Sequence, residues 1–286
     1  MTTPKRTKTV LITGCSPGGI GHSMAIEFQS KGLQVLATAR TKEKISDLKS
    51  KGITTLALDV DSLESIAQLK KDVERITSGK LDYLVNNAGR NYTVPALDLE
   101  LSEVQQTFRT NVFAVMMMCK AFAPLLIEAQ GTIVQIGSVA GVMPYVFGSA
   151  YNASKAALHQ YTNTLRLELK PFNVKVLNIV TGGVKSNIAR TERQLPADSI
   201  YLPINAEYQR RTKHSQEVGM PNEKYARSVV ASVLGAGAGR RNIWNGNGSW
   251  LVWFASRFLP AWVFDLVFAR MFNLWKLTKA NQKKVA

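Results

Sequence analysis

VLITGCSPGGIG, residues 10–21, is the stretch on which the fold turns. Val10–Thr13 read as a buried strand, the glycines after them as a tight loop, and the chain resumes as a helix from about Ser23 to Lys31. Small residues let a backbone approach a pyrophosphate closely. The helix that follows offers unpaired N–H groups and the positive end of its dipole. A glycine cluster by itself marks only a turn, but one set between strand and helix points to a dinucleotide site.

Outward from that loop, short apolar runs alternate with longer amphipathic ones. Strands are expected at Gln34–Ala39, Leu56–Asp59, Tyr83–Asn86, Thr132–Ile136 and Val174–Ile179. Helices are expected near Lys42–Lys51, Leu63–Ile76, Ser102–Glu128 and Asn152–Lys170, the last ended by Pro171. Such alternation implies parallel pairing through right-handed crossovers, hence an α/β fold with a doubly wound parallel sheet. No internal repeat is seen, nor a linker before residue 240.

The second strand ends Thr38-Ala39-Arg40, with Lys42 and Lys44 close behind. An acid at this place would hold the adenosine ribose hydroxyls of NAD, whereas a guanidinium suits a 2′-phosphate, so the expected cofactor is NADP(H). Further on, YNASK sets Tyr151 and Lys155 four residues apart, one turn along the same helix face. A nearby ammonium favours the phenolate, so the pair is expected to exchange a proton with a carbonyl or alcohol near neutrality. Ser138 and Tyr151 together would point at that oxygen and stabilise its developing charge.

In order from about residue 8 to 190, the TGCSPGGIG loop, LDV at Leu58–Val60, NNAG at Asn86–Gly89, Asn111, Ser138 and YNASK together resemble the short-chain dehydrogenase/reductase family. The resemblance implies a single Rossmann-type domain, placed at residues 1–240, with a catalytic tetrad of Asn111, Ser138, Tyr151 and Lys155. In that reading Tyr151 gives or takes the proton, and Ser138 hydrogen-bonds the substrate oxygen. Lys155 lowers the phenol's pKa and holds the nicotinamide ribose, and Asn111 sits on a water linking Lys155 to solvent. The implied cofactor contacts are Ile12, Gly14, Ser16, Gly19, Ile20, Gly21, Arg40, Asp59 toward adenine, Asn87 beside the ribose, Tyr151, Lys155, Val184 and Ser186. Homodimers or homotetramers through the long helices are implied as well. Two departures stand out: an extra residue in the glycine loop at Pro17-Gly18, and Thr181-Gly182-Gly183 where the family usually has Pro-Gly. TGCSPGGIG, ATAR, KLDYLVNNAG, TGGVKSNIAR and DSIYLPI (198–204) are similar to the branch of fungal NADPH-dependent 1-acyldihydroxyacetone-phosphate reductases. Relatives in that branch act on terpenoid or polyketide ketones and alcohols of secondary metabolism, so two substrate classes stand side by side.

Composition bounds the rest. The chain has 286 residues, 45% hydrophobic, with a formal net charge of +16. Two cysteines, Cys15 and Cys119, suit a reducing, intracellular setting, and no residues show metal-ligand spacing. The basic, polar start MTTPKRTKTV lacks the apolar core of a secretory signal. His22, His159 and His214 read as ordinary surface or core residues. Residues 188–220 are expected to form a lid over the substrate, with Arg190, Arg193, Arg210, Arg211 and Lys213 either available for a phosphate head group or simply making a solvated basic loop. Met143, Tyr145, Val146 and Phe147 are expected to line the pocket. From Arg240 onward eight basic residues face one acid, Asp265. Within this segment (241–286), Trp250–Trp275 is dense in aromatic and aliphatic residues but interrupted by Arg257, Pro260, Asp265 and Arg270. The pattern fits two short helices lying in a membrane interface better than one spanning it, and the competing reading is a helical pair packed on the domain or forming a subunit contact. The expected partners are a lipophilic carbonyl or alcohol and the cytosolic face of the endoplasmic reticulum or a lipid droplet. Nucleic acid is not expected, because the charge comes with no recognised binding module. A nucleotide-sensing protein without catalysis would keep the fold, but the intact tetrad argues against it.

Overall fold

The computed structural model describes residues 6–189, 193–237 and 239–278. Seven strands form one parallel sheet: β1 (Thr9–Ile12), β2 (Gln34–Ala39), β3 (Thr54–Ala57), β4 (Tyr83–Asn86), β5 (Thr132–Ile136), β6 (Lys175–Thr181) and β7 (Asn242–Asn245). Their order across the sheet is β3-β2-β1-β4-β5-β6-β7. Successive crossovers leave β1 in opposite directions, so the chain opens a crevice between the loops after β1 and β4.

The helices are α1 (Ile20–Ser30), α2 (Ser46–Ser50), α3 (Leu63–Thr77), α4 (Leu101–Phe108), α5 (Ala114–Ala129), α6 (Ser149–Glu168), α7 (Asn205–Val218), α8 (Asn222–Leu234), α9 (Ser249–Phe258) and α10 (Trp262–Met271). Alternation along β1 sorts them into layers. Val10 and Ile12 face a core that holds Met24 and Phe28 of α1 with Val229 and Val233 of α8. Leu11 faces the opposite core, with Leu69 and Val73 of α3 and Phe122 of α5. Each such fully buried side chain contributes about 1.5–3 kcal/mol relative to exposure. Cys15 and Cys119 belong to these cores; burial pushes their thiols up to about 12 and about 11, which leaves them protonated and unreactive.

Several elements depart from the expected boundaries. α1 begins at Ile20 rather than near Ser23, capped only by the backbone of Gly19. β3 lies at Thr54–Ala57 rather than Leu56–Asp59, because Leu36–Ala39 of β2 set its register. The expected helix Ser102–Glu128 is divided by a π-helical stretch, Arg109–Phe113. The whole of Leu101–Ala129 is long and apolar enough to cross a bilayer, yet Val115, Met118 and Leu126 pack its inner face on the sheet. α6 starts three residues before Asn152. β7 was not expected at all. Of its residues Asn-Ile-Trp-Asn only Ile243 is buried, so it lacks a readable apolar alternation. It also lies beyond residue 240, so the sheet extends past the domain edge drawn from the sequence.

A separate small core joins Phe147 and the 195–208 segment to α10 and the turn after it. Phe147, Ile204 and Tyr208 pack against Phe268 and Phe272. Glu207 of α7 accepts hydrogen bonds from Asn273 at 2.6 Å and Lys276 at 2.7 Å, which ties the same two segments together. The lid is pinned on its other side, where Ser199 donates to Asp98 at 2.6 Å and Arg193 pairs with Glu103 at 2.6 Å.

Candidate active site

A cavity of about 1480 Å³ lies over the C-terminal ends of the strands. Its floor on one side is the loop after β1. Gly14 has φ +73°, and a Cβ there would stand 2.9 Å from the Ala88 backbone. Thr13 clamps this loop to the next: its Oγ1 accepts from the N–H groups of Asn87 at 3.0 Å and Ala88 at 2.9 Å. Asn87 returns the contact, donating to the carbonyls of Thr13 at 2.8 Å and Gly14 at 2.9 Å.

The positive end of α1 opens into this cavity. Gly19 supplies no side-chain cap, and no acid stands in the first turn, so the helix N–H groups remain available for an anion. Arg40, at the end of β2, and Asp59, beyond β3, line the same wall. Bare backbone, a helix N-terminus and a cation thus fit a phosphorylated dinucleotide. Of the expected contacts, Gly14, Ser16, Gly19, Ile20, Arg40, Asp59, Asn87, Tyr151, Lys155, Val184 and Ser186 line the cavity. Ile12 and Gly21 do not. Ile12 is fully buried in the sheet core, and Gly21 sits behind the loop, where a Cβ would collide with Asn87. Gly21 serves by having no side chain.

The two sequence departures have local explanations. The carbonyls of the extra Pro17-Gly18 accept from the side-chain amides of Asn187 and Asn222, so the longer loop is held from across the site. Thr181 keeps β6 paired to β7 and shares a hydrogen bond of 2.6 Å with the Tyr225 hydroxyl. Gly182 must stay bare, because a Cβ would strike the Asn247 carbonyl.

The tetrad residues gather on the opposite wall. Ser138 follows β5, and its Oγ accepts the Ala140 N–H at 3.1 Å. It also lies close enough to the Tyr151 phenol to favour its ionised form. Lys155 is buried, with Nζ 5.8 Å from the Tyr151 ring centroid and donating to the Ile136 carbonyl at 2.9 Å. Asn111 lies within the π-helical stretch behind this wall rather than on it. Its amide is engaged by the Arg90 carbonyl at 3.0 Å, the Arg90 N–H at 2.9 Å and Ser154 Oγ at 3.0 Å. Among the described residues it makes no hydrogen bond to Lys155.

The electrostatics differ from the sequence expectation. Burial raises the Tyr151 phenol above its ordinary range; the Ser138 hydrogen bond and the Arg211 guanidinium pull against that rise. Burial brings Lys155 itself down to about 8. A further cation acting on the phenol is Arg211 of α7, whose guanidinium lies 3.9 Å from the Tyr145 ring centroid. A second residue missed as functional is His159. Its Nε2 accepts the Ser138 N–H at 3.2 Å, and burial together with Lys155 lowers it to about 4. It is therefore a neutral acceptor at physiological pH. The available signal was its spacing, since Tyr151, Lys155 and His159 recur every four residues on one face of α6.

Apolar walls complete the cavity. Met143 and Tyr145 line it as expected, and Leu251, Val252, Leu259, Val263 and Phe264 of the C-terminal helical pair form its outer side. Val146 and Phe147 do not line it; they pack in the small core beneath the lid. The opposite faces of α9 and α10 leave Trp250, Phe258, Trp262 and Leu266 each more than half exposed. Neither ten-residue helix is long enough to span a bilayer.

Comparison with known proteins agrees with this geometry. The family model for short chain dehydrogenases matches residues 8–196. Short-chain dehydrogenase virD of Hypocrea virens is 42% identical, covering 97% of this chain and 98% of its own. The NADPH-dependent 1-acyldihydroxyacetone phosphate reductase of Schizosaccharomyces pombe is 47% identical, covering 68% of each chain. A solved short-chain dehydrogenase from Streptomyces avermitilis superposes with a TM-score of 0.76 at 27% identity, covering 97% of this chain and 99% of that one. A seven-stranded doubly wound sheet, a glycine loop at its crevice and matches of this length lead to one conclusion: the chain belongs to the short chain dehydrogenase family of oxidoreductases.

Proposed function

We propose that this protein is an NADP(H)-dependent oxidoreductase that interconverts a ketone and a secondary alcohol on a lipophilic substrate. The observation that carries this reading is the meeting of Ser138, Tyr151 and Lys155 on one wall of a cavity whose other walls are the glycine loop with Arg40 and the apolar faces of α9 and α10. The NADPH dependence in the name of the S. pombe relative supports the cofactor.

The bound nicotinamide nucleotide would supply or receive the hydride. Gly14, Ser16, the α1 N-terminus and Arg40 would hold its phosphates, with Arg40 at the 2′-phosphate; Asn87 and Lys155 would hold its riboses. The chain's own work is the proton. Tyr151 gives its phenolic proton to the carbonyl oxygen during reduction and takes it back during oxidation. Ser138 donates to the same oxygen and stabilises its charge, while Arg211 favours the tyrosinate left behind. His159, neutral, fixes the Ser138 backbone. The C-terminal helices exclude water from this wall.

The leading substrate is a 1-acyldihydroxyacetone phosphate, supported by the named relative and by a basic lid. A second reading places a ketone or alcohol on a terpenoid or polyketide scaffold there. The breadth of the apolar wall favours it, since a wall made by two helices accommodates rings as readily as an acyl chain. We also assign the outer faces of α9 and α10 to the surface of a membrane or lipid droplet, supported by their exposed tryptophans and the neighbouring Arg257 and Arg270.

The test is NADPH consumption by the purified protein against 1-acyldihydroxyacetone phosphate and a panel of terpenoid and polyketide ketones, alongside Tyr151→Phe. Turnover by the wild type and a loss of about 10²–10⁴-fold in the variant are expected. Equal rates for the two proteins would refute the proposed proton transfer.

A further inference from the structure

Arg211 carries a buried charge that no described residue neutralises. Of the five lid cations expected near the substrate, Arg190 lies outside the described residues. Arg193 is committed to Glu103 and lies over the Tyr92 ring. Arg210 donates to the Met271 carbonyl, and Lys213 is exposed. Of the described four, Arg211 alone lines the cavity.

Arg211 is 9% exposed. Its Nε is sealed from solvent without a hydrogen-bond acceptor, and among the described residues no carboxylate forms an ion pair with it. Stacking on Tyr145 compensates part of the lost hydration, but an aromatic face accepts none of the five N–H donors along their own directions. A guanidinium buried in this way is normally matched by a carboxylate or phosphate that meets its planar fork. His214 lines the cavity too, and its Nδ1 hydrogen-bonds the Tyr145 hydroxyl at 2.9 Å, which steadies the ring beneath Arg211.

We propose that Arg211 is the recognition site for an oxyanion, carboxylate or phosphate, carried by the same substrate molecule whose ketone or alcohol meets Ser138 and Tyr151. This inference rests on that reading of the Tyr151 wall. It narrows the substrate class to amphiphiles, with an apolar body against α9 and α10 and an anionic group at Arg211. A neutral terpenoid or polyketide leaves the guanidinium buried and unmatched.

Because the Arg211 charge also bears on the Tyr151 phenol, turnover by an Arg211 variant confounds the two effects, and binding separates them. Titration calorimetry on the full chain saturated with NADPH, using decyl phosphate, decanoate and decan-1-ol below micelle-forming concentrations, measures anion preference directly. At least one anion is expected to bind the wild type tenfold or more tightly than the alcohol, and the better of the two identifies the group. Arg211→Gln should bring that ratio to about one, and Arg211→Lys, a point charge without the fork, to an intermediate value. No anion preference in the wild type overturns the proposal without any variant. So does a preference that survives Arg211→Gln, since surface cations would then be holding the probe. Turnover of 9-oxodecanoate and of a keto-decyl phosphate, ketones that carry the two anions, is followed in parallel. Preference without turnover sinks the carbonyl reading and leaves the anion site; turnover without preference does the reverse.

Discussion

The two walls of the cavity face each other but are built from different material. The nucleotide wall uses short stretches that each follow a strand: the loop after β1, Arg40 after β2 and Asn87 after β4. Its parts are bare backbone, a helix end and hydrogen bonds such as those of Thr13, all fixed by the sheet beneath. The substrate wall is gathered from Met143–Tyr145, α7, α9 and α10, which lie more than 100 residues apart at the extremes; all but α9 meet through a small aromatic core of their own. The first wall reads a ligand by backbone geometry, which leaves little room for variation. The second reads it by side-chain shape and one buried charge, so a shared family fixes the reaction more tightly than the substrate.

Variants that touch one wall at a time can break this division. Lys155→Met, on the tetrad wall that both others adjoin, should lower turnover by about 10³-fold and weaken nucleotide binding too. Steady-state rates and NADPH titration read the two effects, and turnover within a few-fold of wild type would end the case for Lys155. An acid-stability measurement probes the support beneath Ser138. His159 has an unfolded pKa of about 6.5 and is held near 4 in the fold, so the unfolded state binds more protons between these values. Stability is full above about pH 6.5 and falls as pH drops toward 4, by about 3 kcal/mol in all. His159→Gln should flatten that part of the curve in denaturant melts at pH 7 and pH 4.5; an unchanged slope would mean the imidazole titrates normally.

Arg40→Ala tests the far end of the same wall. Loss of a charge-assisted contact worth about 1.5–3 kcal/mol should weaken NADPH by about 10–100-fold while leaving NADH nearly unaffected. Equal losses for the two nucleotides would move the 2′-phosphate elsewhere. The smallest effect is expected on the outer side of the substrate wall. Trp250→Ser with Trp262→Ser should reduce sedimentation with anionic phospholipid vesicles about tenfold, with turnover of a short, water-soluble ketone retained. Vesicle binding as strong as wild type would assign those faces to another surface.

Legibility followed the same line. The strand–loop–helix at Val10–Gly21, the end of β2 at Arg40 and the YNASK face of α6 are local patterns, and the chain folds them where their spacing says. The family resemblance implies cofactor contacts at Ile12 and Gly21, but the fold spends one on the core and leaves the other bare for packing. β7 escaped notice because an edge strand with one buried residue has no period to read. The roles of Arg211 and His159 were hidden because each depends on a partner far along the chain. Arg211 needs Tyr145 beneath it and Tyr151 nearby, and His159 needs the Ser138 backbone.

What the amino-acid sequence determined alone is the doubly wound sheet, the nucleotide crevice and the order of its chemical groups, since these follow from periodicity and from glycines at particular steps. What only the tertiary structure decided is which groups share an environment. Burial raised the Tyr151 phenol, lowered Lys155 and His159, and enclosed Arg211 with no carboxylate paired to it among the described residues. The physical reason is that desolvation depends on everything packed around a charge, and contacts between distant segments cannot be counted along a chain.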